Sequence, residues 1–154
     1  MTKEGLISEK LRGMIGKELP VTQTTELNRK LVADFIGAIN DPNSEFTKEI
    51  EYSEVVPPNI LMVRGVSYKG SATASLASEL PPGALDAGGE FEVLKPVRIG
   101  DVITAKTKLS EVSERESKSL GKMFLVVYET TYTNQKGEVV ATFKHSGLRF
   151  KQKK

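Results

Sequence analysis

An α+β domain is what this sequence predicts, and three observations predict it. Apolar residues recur at helical spacing in the early part of the chain, and strict two-residue alternation takes over from Gly89 onward. Clusters of turn-forming residues separate the segments. Helices first, then a run of antiparallel strands, is an α+β pattern.

The opening segment places Ile7, Leu11, Met14 and Ile15 on one stripe, with Lys3, Glu4, Glu9, Lys10 and Arg12 mostly elsewhere. That predicts an amphipathic helix of about three turns within residues 1–17, whose apolar face must dock on this domain or on a partner subunit. Pro20 to Thr24 reads as a short extended piece. A helix then starts near Thr25 as N-cap, with Leu27, Leu31, Phe35 and Ile36 on its buried side. Asn40, Asp41, Pro42, Asn43 and Ser44 stop it with turn chemistry. Pro57 and Pro58 preset a second, short apolar helix from Asn59 to Arg64. From Gly65 to Gly89 the Gly, Ser, Ala and Pro content reads as a long irregular connection, with one helical turn around Ala74 and Ser75.

Phe91, Val93 and Val97 suggest one strand. Ile103, Ala105, Thr107 and Leu109 alternate with Thr104, Lys106, Lys108 and Ser110, a half-buried strand. Met123 to Tyr132 is a third, and Asn134 to Gly137 turns the chain into a fourth from Val139 to Phe150. Gly147 sits where the last alternation slips, which predicts a bulge there.

The 154 residues suit one domain with a real core, residues 1–154. A net charge of +2 gives no reason to expect nucleic acid. Lys144, Arg149, Lys151, Lys153 and Lys154 crowd the last eleven residues, as a phosphate-friendly tail or as a solvated terminus. The absence of cysteine excludes thiolate catalysis and Cys-ligated zinc and fits a cytoplasmic protein. No apolar run approaches the ~20 residues of a membrane span. No glycine-rich phosphate loop, His-x-x-x-His spacing or serine elbow is present, which removes several enzyme classes.

The chemistry concentrates in two stretches, AINDPNSEFTKEIEYSEVVPPNILMVRG from Ala38 to Gly65 and GGEFEVLKPVRIGD from Gly88 to Asp101. Together they resemble the MaoC-like dehydratase/hydratase family, hot-dog-fold proteins that add or remove water on acyl thioesters. The resemblance touches Val21 to Phe150. It implies an antiparallel sheet wrapped around a central helix, here the segment at Pro58. It also implies a catalytic acid/base at Asp41, the first residue of the family's Asp-x-Asn-Pro-x-His motif, with Asn43 as the motif's asparagine. The motif's proline is Ser44 here and its histidine is Phe46. Phenylalanine cannot take a proton, so the dyad is incomplete. On its own residues, Asp41 reads equally as a helix-ending Asx turn.

Pro57, Pro58 and Asn59 resemble the approach to the family's central helix, which implies substrate binding by Pro58, Asn59, Ile60, Leu61 and Arg64. The backbone amides of Ile60 and Leu61 are the candidate oxyanion donors, because amides at a helix start point at an anion. Arg64 and Lys95 are candidates for coenzyme A phosphates. Asp86, Gly88, Gly89 and Glu90, and the Lys95–Asp101 turn, are assigned structural roles. His145, the chain's single histidine, shares a strand face with Ala141 and Phe143 and reads as a core or interface residue.

The expectation is a hydratase/dehydratase subunit acting on acyl-CoA or acyl-carrier-protein thioesters, without a cofactor or metal. Phe46 points to the non-catalytic partner of a heteromeric enzyme. A self-sufficient hydratase using Asp41, a non-enzymatic acyl-CoA-binding module and a hot-dog thioesterase are the rivals. A homo- or hetero-oligomer with another hot-dog subunit is expected, since pairing covers an exposed sheet edge.

Overall fold

The computed structural model describes residues 7–40, 55–63 and 75–151. Its elements are α1 (Glu9–Met14), β1 (Glu18–Glu26), α2 (Arg29–Ile39), β2 (Val55–Val56), a 3₁₀ turn (Pro58–Met62), β3 (Gly83–Val93), β4 (Val97–Arg98), β5 (Val102–Ser117), β6 (Gly121–Thr133) and β7 (Val139–Phe150). Five strands form one antiparallel sheet in the order β1-β5-β6-β7-β3, and β2 pairs with β4 as a separate ribbon. No helix among the described residues is long and apolar enough to cross a membrane.

Register explains what the two-residue period accomplishes. Leu109, Tyr128, His145 and Gly89 lie in one row across four strands; Thr107, Thr130, Phe143 and Phe91 form the next, and Ala105, Tyr132, Ala141 and Val93 the third. The opposite face carries Glu18, Lys108, Glu129, Lys144 and Glu90 in a single row of alternating sign. Alternation along each strand thus separates an inner, mostly apolar face from a solvated outer one.

Two clusters of buried residues cover the inner face. The first joins Val32 and Ile36 of α2 to Ile60 and Leu61 of the 3₁₀ turn and to Ile103, Tyr132 and Ala141 of the sheet. The second joins Leu11 of α1 to Leu19, Leu76, Leu80, Leu109, Val126 and Tyr128. Ile7 and Met14 lean on it, whereas Ile15 does not.

Several expectations need correction. The described N-terminal helix spans six residues, because Ile15 is already extended and the Gly16 N–H, at φ +82°, bonds to the Leu109 carbonyl at 2.7 Å. Thr25 does not cap α2: it belongs to β1, opposite Ile103. Asn28 caps instead, its side chain accepting from the Leu31 N–H at 2.9 Å. Asn40 ends α2 in the left-handed conformation, the expected turn chemistry. The segment at Pro58 is a 3₁₀ turn ending at Met62, with Val63 extended, rather than a helix to Arg64. The supposed irregular connection contains the first half of β3, because Gly83 to Gly89 pair with Phe150 to His145. Val97 is not part of that strand; it pairs with Val56. The bulge lies at Gly147, as expected, but on the facing strand: Gly147 pairs regularly with Val126, and the extra residue belongs to β3. Ala87 is the extra residue, between Asp86 opposite Gly147 and Gly88 opposite Ser146.

Candidate functional site

Asp41, Asn43 and Arg64, together with Ser44 and Phe46, lie outside the described residues. The Pro58 segment is described. Pro57 is buried at φ −55°, ψ 119°, and Pro58 opens the turn, as a ring that presets φ should. Ile60 and Leu61 are fully buried against α2 and the sheet, Asn59 is exposed, and Met62 is exposed. The Ile60 N–H closes the turn on the Pro57 carbonyl at 3.1 Å. Lys95 is held by Glu138 at 2.6 Å, and Arg149 donates from Nε to the Pro81 carbonyl at 2.9 Å. Gly100, at φ +87°, and Asp101 make the expected turn, with Asp101 accepting from the Arg98 N–H at 2.9 Å.

The sheet also assembles a pair that sequence reasoning missed. His145 Nε2 stands 3.2 Å from Asp86 Oδ2. The other oxygen, Oδ1, accepts from the Gly88 N–H at 2.7 Å, inside the bulge, where Gly88 adopts φ +103°. That backbone bond, then the His145 ring, hold the Asp86 carboxyl below the usual carboxylate range. The imidazole is stacked on Phe143 with centroids 5.7 Å apart and planes 21° from parallel. Phe143 meets Phe91 edge-on at 6.2 Å, and Phe91 meets Tyr132 at 6.3 Å, so the ring leads back into the core.

The bulge is what makes the pair. Glu90 and Glu92 stand opposite Lys144 and Thr142 on the outer face, and an unbroken strand would carry Asp86 there too. The extra residue Ala87 turns Asp86 inward, opposite Gly147 and beside His145. The pair spans 59 residues of sequence, and only register brings it together. His145 is accordingly neither buried in the core nor isolated: its side chain is 38% exposed, and that of Asp86 73%.

Glu18, Lys106, Lys108, Glu129, Thr131 and Thr133 line a shallow groove on the outer face, and ion pairs among them occupy its charge. Among the described residues no group of three His, Cys, Asp or Glu side chains could hold a metal.

Comparison with known proteins decides the family. The model of the FAS1-like, dehydratase domain region matches residues 13–143, most of the chain. This chain belongs to that dehydratase family. It is 26% identical over 138 residues to a UPF0336 protein of Thermobifida fusca, covering 85% of this chain and 88% of the relative. It is 25% identical over 167 residues to a probable enoyl-CoA hydratase alpha subunit of Thermomonospora curvata, covering 95% of this chain and 52% of the relative. Two solved structures share the fold. The ChsH1–ChsH2 complex of Mycobacterium tuberculosis matches with a TM-score of 0.71 at 16% identity, over 88% of this chain and 85% of that one. A MaoC-like dehydratase of Rhodospirillum rubrum matches with a TM-score of 0.56 at 22% identity, over 97% and 100%. The α+β sheet of this family member is therefore the hot-dog fold of MaoC-like proteins.

Proposed function

We propose that this dehydratase-family chain is one subunit of a heteromeric acyl-thioester hydratase/dehydratase, in which it shapes the acyl pocket while a second hot-dog chain supplies the complete acid–base dyad. The observation that carries this reading is the family motif itself: Asp41 and Asn43 are kept, and Phe46 stands where the histidine belongs. Proton handling is worth about 10²–10⁴ in rate, so a chain lacking one of its two groups gains most from a partner that has both. The substrate is an enoyl or 3-hydroxyacyl thioester of coenzyme A or of a carrier protein, and no cofactor takes part.

In this reading Pro58 and Asn59 frame the thioester and the amide of Leu61 faces its oxygen, whereas the Ile60 N–H, a candidate donor from the sequence, is already given to the Pro57 carbonyl. Arg64 meets the phosphate end. The free edge of β3, whose residues 84–90 are exposed, is the natural seam for the second chain. A likeness to a structure of a two-chain complex, and to a relative named as an alpha subunit, supports a hot-dog partner.

The retention of Asp41 favours a second reading, a hydratase active alone. The test is loss of the conjugated enoyl-thioester absorbance when the purified chain meets trans-2-butenoyl-CoA. The heteromer reading expects no turnover by the folded chain alone and turnover with its partner. Turnover alone, abolished in Asp41→Asn, overturns it in favour of the second. Binding of acyl-CoA without turnover under either condition makes the chain a binding module.

A further inference from the structure

We propose that His145 is a proton-transfer residue of this chain for the hydration of α,β-unsaturated acyl thioesters, with Asp86 as its positioning residue. The proposal rests on the second reading above, a hydratase whose own chain handles protons, and not on the heteromer in which a partner supplies the complete dyad.

The inner face of the sheet is poor in charge where the outer face is rich, and across the three central rows His145 is its only imidazole. The titratable or charged groups flanking it are Asp86 and Glu90 on β3, Tyr128 and Glu129 on β6, and Lys144 on its own strand. Only Asp86 and Tyr128 share its face. A carboxylate–imidazole pair placed on a largely apolar face, between two buried clusters, is a general base in search of a substrate more than a stabilising ion pair.

Three features orient the ring. Asp86 takes Nε2, the Gly88 N–H in the bulge fixes the carboxylate, and Phe143 stacks on the imidazole face. An N–H at Nε2 that donates to Asp86 leaves Nδ1 with its lone pair, and no described residue hydrogen-bonds to Nδ1. This is the base-plus-orienter half of a catalytic constellation. Access is built in as well. The residue opposite His145 is Gly89, whose neighbour is Gly88, so the strand edge beside the ring carries no side chain. A Cβ on Gly89 would come within 2.6 Å of the Phe143 ring, and a Cβ on Gly88 would meet only open space.

The chemistry balances without a further reactant. Nδ1 takes a proton from water as the hydroxyl oxygen bonds to C3 of the enoyl group. The C2–C3 π pair moves toward the thioester oxygen. The imidazolium then returns its proton to C2, for net addition of one water.

The experiment uses the purified full chain and follows trans-2-butenoyl-CoA hydration between pH 5 and 9 in wild type, His145→Gln and Asp86→Asn. The expected result is a kcat lower by about 10²–10⁴ in His145→Gln with KM within threefold. Asp86→Asn is expected to lower kcat less and to move the acidic limb of the profile, which a merely structural pair would not do. A folded His145→Gln enzyme with wild-type kcat and an unchanged pH profile overturns the assignment while leaving the hydratase reading intact. An inactive wild type overturns both. Because the chain holds one histidine, its single imidazole signal supplies a second readout. Saturable movement of that signal by butanoyl-CoA is expected, and bound ligand that leaves it unmoved overturns the proposal.

Discussion

Thr107 and Thr130 stand opposite each other on β5 and β6, and their hydroxyls meet at 2.8 Å in the middle of the inner face. Both residues are buried. Each hydroxyl is thereby satisfied without water, which is how a polar pair survives between apolar clusters. Thr107→Val or Thr130→Val alone strips one hydroxyl of its partner and is expected to lower stability by about 1–3 kcal/mol. The double substitution removes both groups, keeps the shape, and is expected to be nearly neutral. Urea denaturation of the three variants checks this, and additive losses would refute the coupling.

The start of α2 gives a second prediction. Asn28→Ala removes the acceptor for the Leu31 N–H and should lower stability by about 0.5–2 kcal/mol, whereas Asn28→Ser keeps a cap and should stay within a few tenths. Equal losses in both variants would show that the side chain acts through something other than capping.

That cap also shows where sequence legibility ended. Thr25 and Asn28 are both capping types three residues apart, and the competition of β1 with β5 for Thr25 decided between them. Leu27 is buried, as its spacing predicts, but for another reason: its N–H donates to the Asp101 carbonyl at 2.8 Å and its carbonyl accepts from the Gly100 N–H at 2.9 Å, outside any helix. Strands β5, β6 and β7 were legible because one face of each is buried and the period of two shows through. The first half of β3 was not, because its glycines and exposed residues leave no alternation to read. The Asp86–His145 pair was invisible for the same reason, as it depends on the parity change at Ala87.

Three glycines in different surroundings predict a ranking. Gly13 lies within α1 with nothing within 4 Å of an added Cβ, so Gly13→Ala should stabilise by roughly 0.5–1 kcal/mol. In Gly83→Ala the new carbon meets the Phe150 carbonyl oxygen at 2.6 Å, and backbone paired in the sheet cannot move aside cheaply. Gly89→Ala meets the tip of the Phe143 ring at 2.6 Å and the Lys144 carbonyl at 3.1 Å, and a ring can swing. Thermal melts should rank Gly13→Ala above wild type, then Gly89→Ala, then Gly83→Ala, with losses of about 1–3 kcal/mol for the crowded pair. A Gly83→Ala chain as stable as wild type would contradict the register of β3 on β7.

Acid should loosen the hairpin joining β6 to β7 through a named carboxylate. Glu138 is held below the usual carboxylate range first by Lys95, at 2.6 Å, and then by the Asn134 amide, at 2.8 Å. A carboxyl depressed in this way binds fewer protons folded than unfolded. Its contribution is complete above the unfolded value and is lost as pH falls through the folded one. Both Lys95 and Glu138 are well exposed, so screening keeps the effect small, and 1 M salt should shrink it further. Glu79, held by Lys10 and Ser8, and Asp86 shift in the same direction and add to the same acid limb. The stability of Glu138→Gln should therefore fall less steeply than that of wild type as pH drops below about 4, and the two curves should converge in acid. Denaturant midpoints measured from pH 7 down to pH 3 provide the comparison. Parallel curves across that range would mean that Glu138 titrates alike folded and unfolded, and that the Lys95 bridge contributes nothing in solution.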